Sequence, residues 1–130
     1  MIVVDASAVA DVLLGIESAQ LLEDRLLGGG EAMHAPHLLD LEILQVLRRI
    51  AASGAWPAER ATQALDDFAA IRIVRHAHEP LRGRIWELRK VATADDAAYL
   101  ALAESLGCPL ITRDQKLKRT PGHVARIEVL

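Results

Sequence analysis

Four carboxylates carry the chemistry this sequence offers: Asp5, Glu42, Asp96 and Asp114. Asp5 ends the apolar run Ile2-Val3-Val4, and Asp114 follows the strand-like stretch Pro109 to Thr112. Asp96 opens a helical stretch that begins at Thr93, and Glu42 lies inside a long helical pattern that begins near Pro36. Carboxylates that share a pocket raise one another's pKa, and a bound cation is the natural resolution. Oxygen-only ligands favour Mg²⁺ or Mn²⁺ over zinc.

Each carboxylate also has a structural reading. Thr93-x-x-Asp96 and Thr112-x-x-Gln115 both match a capping box, and Asp114 suits the cap of the turn after it. Glu42 lies beyond the first helical turn, where the helix dipole would favour it, so its alternative is a solvated helix face. Asp5 has the weakest alternative, because a carboxylate buried at the end of an apolar strand needs partners. Asp11, Asp40, Asp66 and Asp67 show no such convergence and read as surface charges. His34-x-x-His37 with Asp40 nearby lacks the cysteine cluster that would make a zinc reading persuasive, and His76 and His78 read as the edge of a strand end. No G-x-S-x-G, P-loop or G-x-G-x-x-G is present, and Gly28 to Gly30 follows a helix instead of a strand.

Positioning these groups requires alternating strands and helices. The pattern predicts strands at 2–4, 32–35, 72–75, 109–112 and 125–129. Between them it predicts a helix over 7–14 capped by Ser7, one over 17–27, and a long one that takes Pro36 in its first turn and ends at Gly54. Further helices are expected over 57–71, 80–90 and 93–106. Such alternation gives a three-layer α/β/α architecture with a mainly parallel central sheet of four to five strands, in one domain spanning 1–130. In open parallel sheets, sites form beyond the carboxyl ends of the strands where strand order reverses, and Asp5 and Asp114 both stand at such ends. If the first and fourth strands are neighbours, the four carboxylates converge.

The 130 residues are 52% hydrophobic and 25% charged, enough for an aliphatic core without disulfides. The single cysteine, Cys108, excludes an internal disulfide framework. No apolar run approaches the ~18 residues of a membrane span, and Asp5 and Asp11 interrupt the N-terminal stretch where a signal peptide needs apolar residues, so a cytoplasmic protein is expected. Only 3% of residues are aromatic, so extended base-stacking platforms are poorly supplied. Charge is uneven: residues 1–70 hold 4 basic and 11 acidic side chains, and residues 71–130 hold 11 basic and 7 acidic. Twelve of the fifteen basic residues are arginine, whose planar fork suits phosphate.

The run Val3-Val4-Asp5-Ala6-Ser7-Ala8, then Pro36 with Glu42 and Leu47-Arg48-Arg49, the stretch Thr93 to Ala103, and Pro109-Leu110-Ile111-Thr112-Arg113-Asp114 together resemble a PIN-domain protein, and more narrowly a VapC-type toxin of a bacterial toxin–antitoxin pair. The resemblance covers essentially the whole chain. It implies a PIN-like fold and a Mg²⁺- or Mn²⁺-dependent ribonuclease that leaves 5′-phosphate and 3′-hydroxyl ends and inhibits translation. Asp5, Glu42, Asp96 and Asp114 would be its acidic quartet, with Asp96 chosen over Asp95 because it precedes the Ala-x-Tyr element. Ser7 and Thr112 match polar positions that support the quartet, and Gln45 stands where many relatives have asparagine. The implied partners are an RNA substrate, a second copy of the chain, and a VapB-type antitoxin whose C-terminal segment inserts an arginine among the carboxylates.

Segments 81–90 and 113–119 each carry a net charge of +3, which nominates Arg82, Arg84, Arg113 and Lys116 as RNA contacts beside the ordinary reading of a solvated face. Two other classes share parts of this pattern. A signalling receiver domain would need an adjacent acidic pair after the first strand and a lysine after the last, and neither is present. A catalytically silent PIN scaffold that binds RNA or a protein is disfavoured by the intact quartet.

Overall fold

Ile2, Val3 and Val4 are fully buried, as apolar residues with no alternation must be in a strand covered on both faces, and they form β1 (Ile2–Val4). The computed structural model describes residues 1–130. Helix α1 (Ala6–Leu13) begins one residue earlier than expected, because Asp5 and not Ser7 is its N-cap: the Asp5 backbone is extended and its carboxylate accepts the Ala8 N–H.

Residues 17–28 break the expected single helix into a 3₁₀ turn, a short α2 (Gln20–Glu23) and a wide π turn over Asp24–Gly28. Arg25 in that wide turn reaches out to pair with Glu31 and Glu128, while the glycines behind it supply no side chain to pack a regular last turn. Pro36 ends β2 (Met33–Pro36) in register with His76 instead of opening the helix. The next N–H, that of His37, continues the ladder to the His76 carbonyl, so α3 (Leu38–Ser53) starts later and closes at Gly54 in the left-handed conformation.

Helix α4 (Ala58–Ala70) leads to β3 (Ile73–His76), and the expected helix over 80–90 shortens to a 3₁₀ turn and α5 (Arg82–Glu87). Helix α6 (Ala94–Leu106) buries seven consecutive residues from Ala97 to Ala103, so it is apolar all round and runs through the middle of the molecule. It is followed by β4 (Leu110–Thr112), the short α7 (Gln115–Arg119) and β5 (Ile127–Val129), the last strand shorter than the pattern suggests.

The sheet order is β3-β2-β1-β4-β5 and every pairing is parallel. The chain leaves β1 toward β2 and returns on the other side at β4, so strand order reverses between β1 and β4. Right-handed crossovers carry α1–α4 over one face and α5–α7 over the other. The crevice beyond β1 and β4 therefore receives Asp5 from one strand end and Asp114 from the other.

Candidate functional site

Asp5 is only 5% exposed, and its carboxylate is held from the first turn of α1 and the end of β4. One carboxylate oxygen accepts the Ser7 hydroxyl at 2.7 Å and the Ala8 N–H at 2.9 Å, and the other accepts the Thr112 hydroxyl. Thr112 is fully buried, and its Oγ1 in turn accepts the Asp114 N–H at 2.9 Å. Ser7 Oγ accepts the Arg113 N–H at 3.0 Å, which completes a stitch between the end of β1 and the end of β4. Burial pushes the Asp5 carboxyl above its ordinary range, against the pull of the Thr112, Ala8 and Ser7 hydrogen bonds, and the charge of Asp114 adds to the rise.

Glu42 comes from the second turn of α3, and its Oε1 accepts the Tyr99 hydroxyl at 2.7 Å. Burial raises its pKa first, Tyr99 opposes the rise, and the charges of Asp95, Asp5 and Asp96 add to it. Asp96 lies in the first turn of α6, where the cap is Thr93, whose Oγ1 accepts the Asp96 N–H at 3.2 Å. Burial raises the Asp96 pKa, Lys116 and then the Thr93 side chain pull it down, and Asp114 and Asp95 push it up. Asp114 is itself the N-cap of α7, accepting the Lys116 N–H at 2.8 Å. The expected carboxylates are thus linked in series, Asp114 acting on Asp5 and on Asp96, and Asp5 and Asp96 acting on Glu42, while Ser7 and Thr112 both touch Asp5.

Tyr99 and Asp95 are the members that sequence reasoning leaves out. Tyr99 is the only tyrosine in the chain and lies one helical turn after Asp96, a spacing that puts both on one face of α6. Burial and the neighbouring Glu42 carboxylate hold the Tyr99 phenol protonated, so it acts as a fixed donor. Tyr99→Phe should therefore cost about 1.5–3 kcal/mol of stability, the range for a hydrogen bond to a charged group. It should also move the Glu42 titration to higher pH, as followed by carboxyl-carbon NMR; a Glu42 titration unmoved in the variant would mean that the bond is not made in solution.

No ion pair involves Asp5, Glu42, Asp95, Asp96 or Asp114, although arginines elsewhere are paired with carboxylates. No three of the His, Cys, Asp and Glu side chains already stand at metal-ligand spacing, as expected where like charges push apart. The donor set is all oxygen, anionic and without a cation of its own beyond the approach of Lys116, so it fits a hard divalent ion. A cavity of about 630 Å³ opens beside the site between α1 and α3, with Ser7, Glu42 and Asp95 on its polar side and Leu14, Leu38 and Leu41 on its apolar side.

The four expected RNA contacts separate. Arg84 binds Glu104 through two hydrogen bonds, Glu87 through a third and the Gly122 carbonyl through a fourth. Arg113 is held by Asp11, Ser18 and the Leu130 carbonyl. Arg82 is exposed and only loosely paired with Glu79 at 3.7 Å, whereas Lys116 projects from α7 beside Asp96.

The PIN domain family model matches residues 2–123. Ribonuclease VapC9 of Mycobacterium tuberculosis is 42% identical over 120 residues, covering 92% of this chain and 91% of that protein. The crystal structure of PAE2754 from Pyrobaculum aerophilum superposes with a TM-score of 0.71 at 24% identity, over 99% of this chain and 83% of that one. VapBC2 from Rickettsia felis, solved bound to a DNA fragment from their promoter, gives a TM-score of 0.71 at 15% identity, over 100% of this chain and 99% of that one. Those two likenesses concern the fold, whereas the family match and the identity to VapC9 concern descent, and on them this chain belongs to the PIN-domain family, among its VapC members.

Proposed function

We propose that this chain is a Mg²⁺- or Mn²⁺-dependent endoribonuclease, the toxin of a VapB–VapC type toxin–antitoxin pair, with the whole of 1–130 serving as one catalytic domain. The observation that carries the reading is Asp5: a carboxylate buried just beyond β1 with no ion-pair partner, where the charge of Asp114 opposes its ionisation and its own charge opposes that of Glu42. The relative VapC9 is itself a ribonuclease by name.

Asp5, Asp96 and Asp114 would hold the ion, with Glu42 ligating through water or placing a second ion. When bound, the ion polarises a phosphodiester oxygen and acidifies a water. The chain's own residues do the rest. Ser7 and Thr112 fix the Asp5 carboxylate, and Thr112 also holds the backbone of Asp114. Tyr99 occupies Glu42 Oε1, so Oε2 remains to orient the attacking water and take its proton, a task suited to a carboxylate whose pKa lies above the ordinary range.

The solved VapBC2 complex makes a VapB-type antitoxin the expected partner. Its C-terminal segment would lay apolar side chains against Leu14, Leu38 and Leu41 and bring an arginine to Glu42 and Asp95, displacing the cation by charge-assisted hydrogen bonds. A homodimer is the proposed assembly. No helix is long and apolar enough to cross a membrane, and the cytoplasm is the proposed location.

The decisive experiment is cleavage of a mixed cellular RNA pool by purified protein in Mg²⁺, in Mn²⁺ and in chelator, beside Asp96→Asn. Cleavage should need the ion and vanish in the variant. Cleavage that survives in chelator, or persists in Asp96→Asn, would remove the metal-nuclease reading.

A further inference from the structure

A second cavity, of about 380 Å³, has Asp96 in its wall, with Arg89, Lys90, Thr93, Lys116 and Thr120. It joins the two basic segments of the sequence: Arg89 and Lys90 follow the end of α5, and Lys116 projects from α7. None of these three cations takes part in an ion pair, whereas Arg84 and Arg113 of the same two segments are bound to Glu104 and Asp11. The fold therefore commits the segments' inner arginines to its own carboxylates and leaves unpaired charge where the wall of the acidic site ends. Against Arg89 stands Trp86, 67% exposed, with the Arg89 guanidinium 4.6 Å above the ring centroid and hydrogen-bonded to the Trp86 carbonyl at 2.9 Å. In a chain with so few aromatic residues, an indole left in water contributes little to the core and offers a flat surface beside positive charge.

We propose that this cavity seats the backbone phosphates of a single-stranded RNA on one side of the scissile bond, and that the Trp86–Arg89 stack holds an unpaired base there. The proposal rests on the ribonuclease reading of the Asp96 site and adds to it a subsite for the strand. Positive charge without an ion-pair partner meets phosphate, and because Asp96 is part of the cavity wall the strand passes from the cavity to the carboxylates. An exposed stack fits a splayed base, which a duplex does not present.

The test uses a mixed-sequence, single-stranded 12-nucleotide RNA in chelator, so that binding is read without cleavage, and a Trp56→Phe background in which Trp86 alone reports by fluorescence. RNA should quench the Trp86 emission. Arg89→Ala and Lys116→Ala should each weaken binding several-fold and reduce the slope of log K against log salt by about 0.7, the contribution of one phosphate contact on a single strand. Trp86→Ala, followed by a label on the RNA, should weaken binding about tenfold, within the range for loss of one stacked base. Lys118→Ala, on α7 but not lining the cavity, should bind as the parent does. All of these side chains except Trp56 are exposed, so the substitutions leave the core intact. Unquenched emission together with unchanged affinity and salt slope in the three variants overturns the proposal, and does so even if metal-dependent cleavage is observed. The reverse pattern, with these binding effects present and no cleavage in Mg²⁺ or Mn²⁺, supports the subsite and overturns the ribonuclease reading alone.

Discussion

Asp5→Asn should make the metal-free protein more stable and, in the same molecule, sharply reduce metal-dependent cleavage. The carboxylate is nearly inaccessible, has no counter-charge and already resists ionisation, so at neutral pH it destabilises the fold. Asparagine keeps its shape. The amide oxygen accepts the Ser7 hydroxyl and the Ala8 N–H as before, which preserves the cap of α1. The amide nitrogen donates to Thr112 Oγ1, and the Thr112 proton turns to Ser7 Oγ, 3.3 Å away, so no buried polar atom is left without a partner. The expected gain is about 1 kcal/mol, seen as a rise of a few °C in the melting temperature measured in chelator. Cleavage should fall by about 10³-fold, the several kcal/mol of charge stabilisation that a correctly held ion supplies. A variant that melts below the parent in chelator would show that Asp5 is not a destabilising charge. Asp5→Ala provides the contrast: it also loses cleavage, but it removes the helix cap and orphans Thr112, and should melt lower than either.

Asp5 is legible from sequence because it ends an unbroken run of β-branched residues at the very start of the chain, where only a buried strand fits. Helix α6 is legible for the same kind of reason, with a Thr cap in front, a left-handed Gly107 behind and no polar face between. The right-handed crossover rule permits β1 and β4 as neighbours without requiring it; the sheet adopts that order and so sets the ends that precede Asp5 and Asp114 side by side. Pro36 misleads because its fixed φ suits a strand end as well as a helix start, and the distant partner His76 makes the choice. The Ser7 cap misleads because two nearby polar residues both suit the role locally, and the backbone of Asp5 decides it. Long-range commitments are the least legible. The Tyr99–Glu42 bond joins residues 57 apart, and Arg113 meets Asp11 across 102 positions, so local spacing reports neither. A segment's net charge likewise cannot say which of its arginines are already bound to carboxylates; in 81–90 that decision is made by Glu104 on another helix.

Adding Mg²⁺ or Mn²⁺ should raise the melting temperature by an amount that grows with pH. The direction follows from three carboxyls, Asp5, Glu42 and Asp96, whose pKa values are raised in the folded protein, chiefly by burial. Unfolded, such groups titrate near pH ~4. Below that they are protonated in both states and their contribution to stability is complete. As pH rises through the folded values, the folded protein must give up protons that the unfolded chain has already released, and the contribution is lost. The metal-free protein is therefore most weakened by these groups at neutral and higher pH. A divalent ion binds the ionised carboxylates and competes with protons for them, so its stabilisation is small in acid and complete once the crevice is deprotonated. At ion concentrations about 100 times Kd it amounts to about 2.7 kcal/mol. One carboxylate works in the opposite sense: Glu104, pulled below its ordinary range first by the Arg84 hydrogen bond, contributes stability that is lost as pH falls through its folded value. Melts in chelator alone would mix the two trends, but Glu104 is bound to Arg84 and stands outside the acidic crevice, so subtracting the chelator melt from the metal melt at each pH cancels it. Run from about pH 5 to about pH 8, a window that begins just above the unfolded values, that difference should climb in the wild type and stay near zero in Asp96→Asn. A difference that is flat with pH, or undiminished in the variant, would place the bound ion somewhere other than these carboxylates.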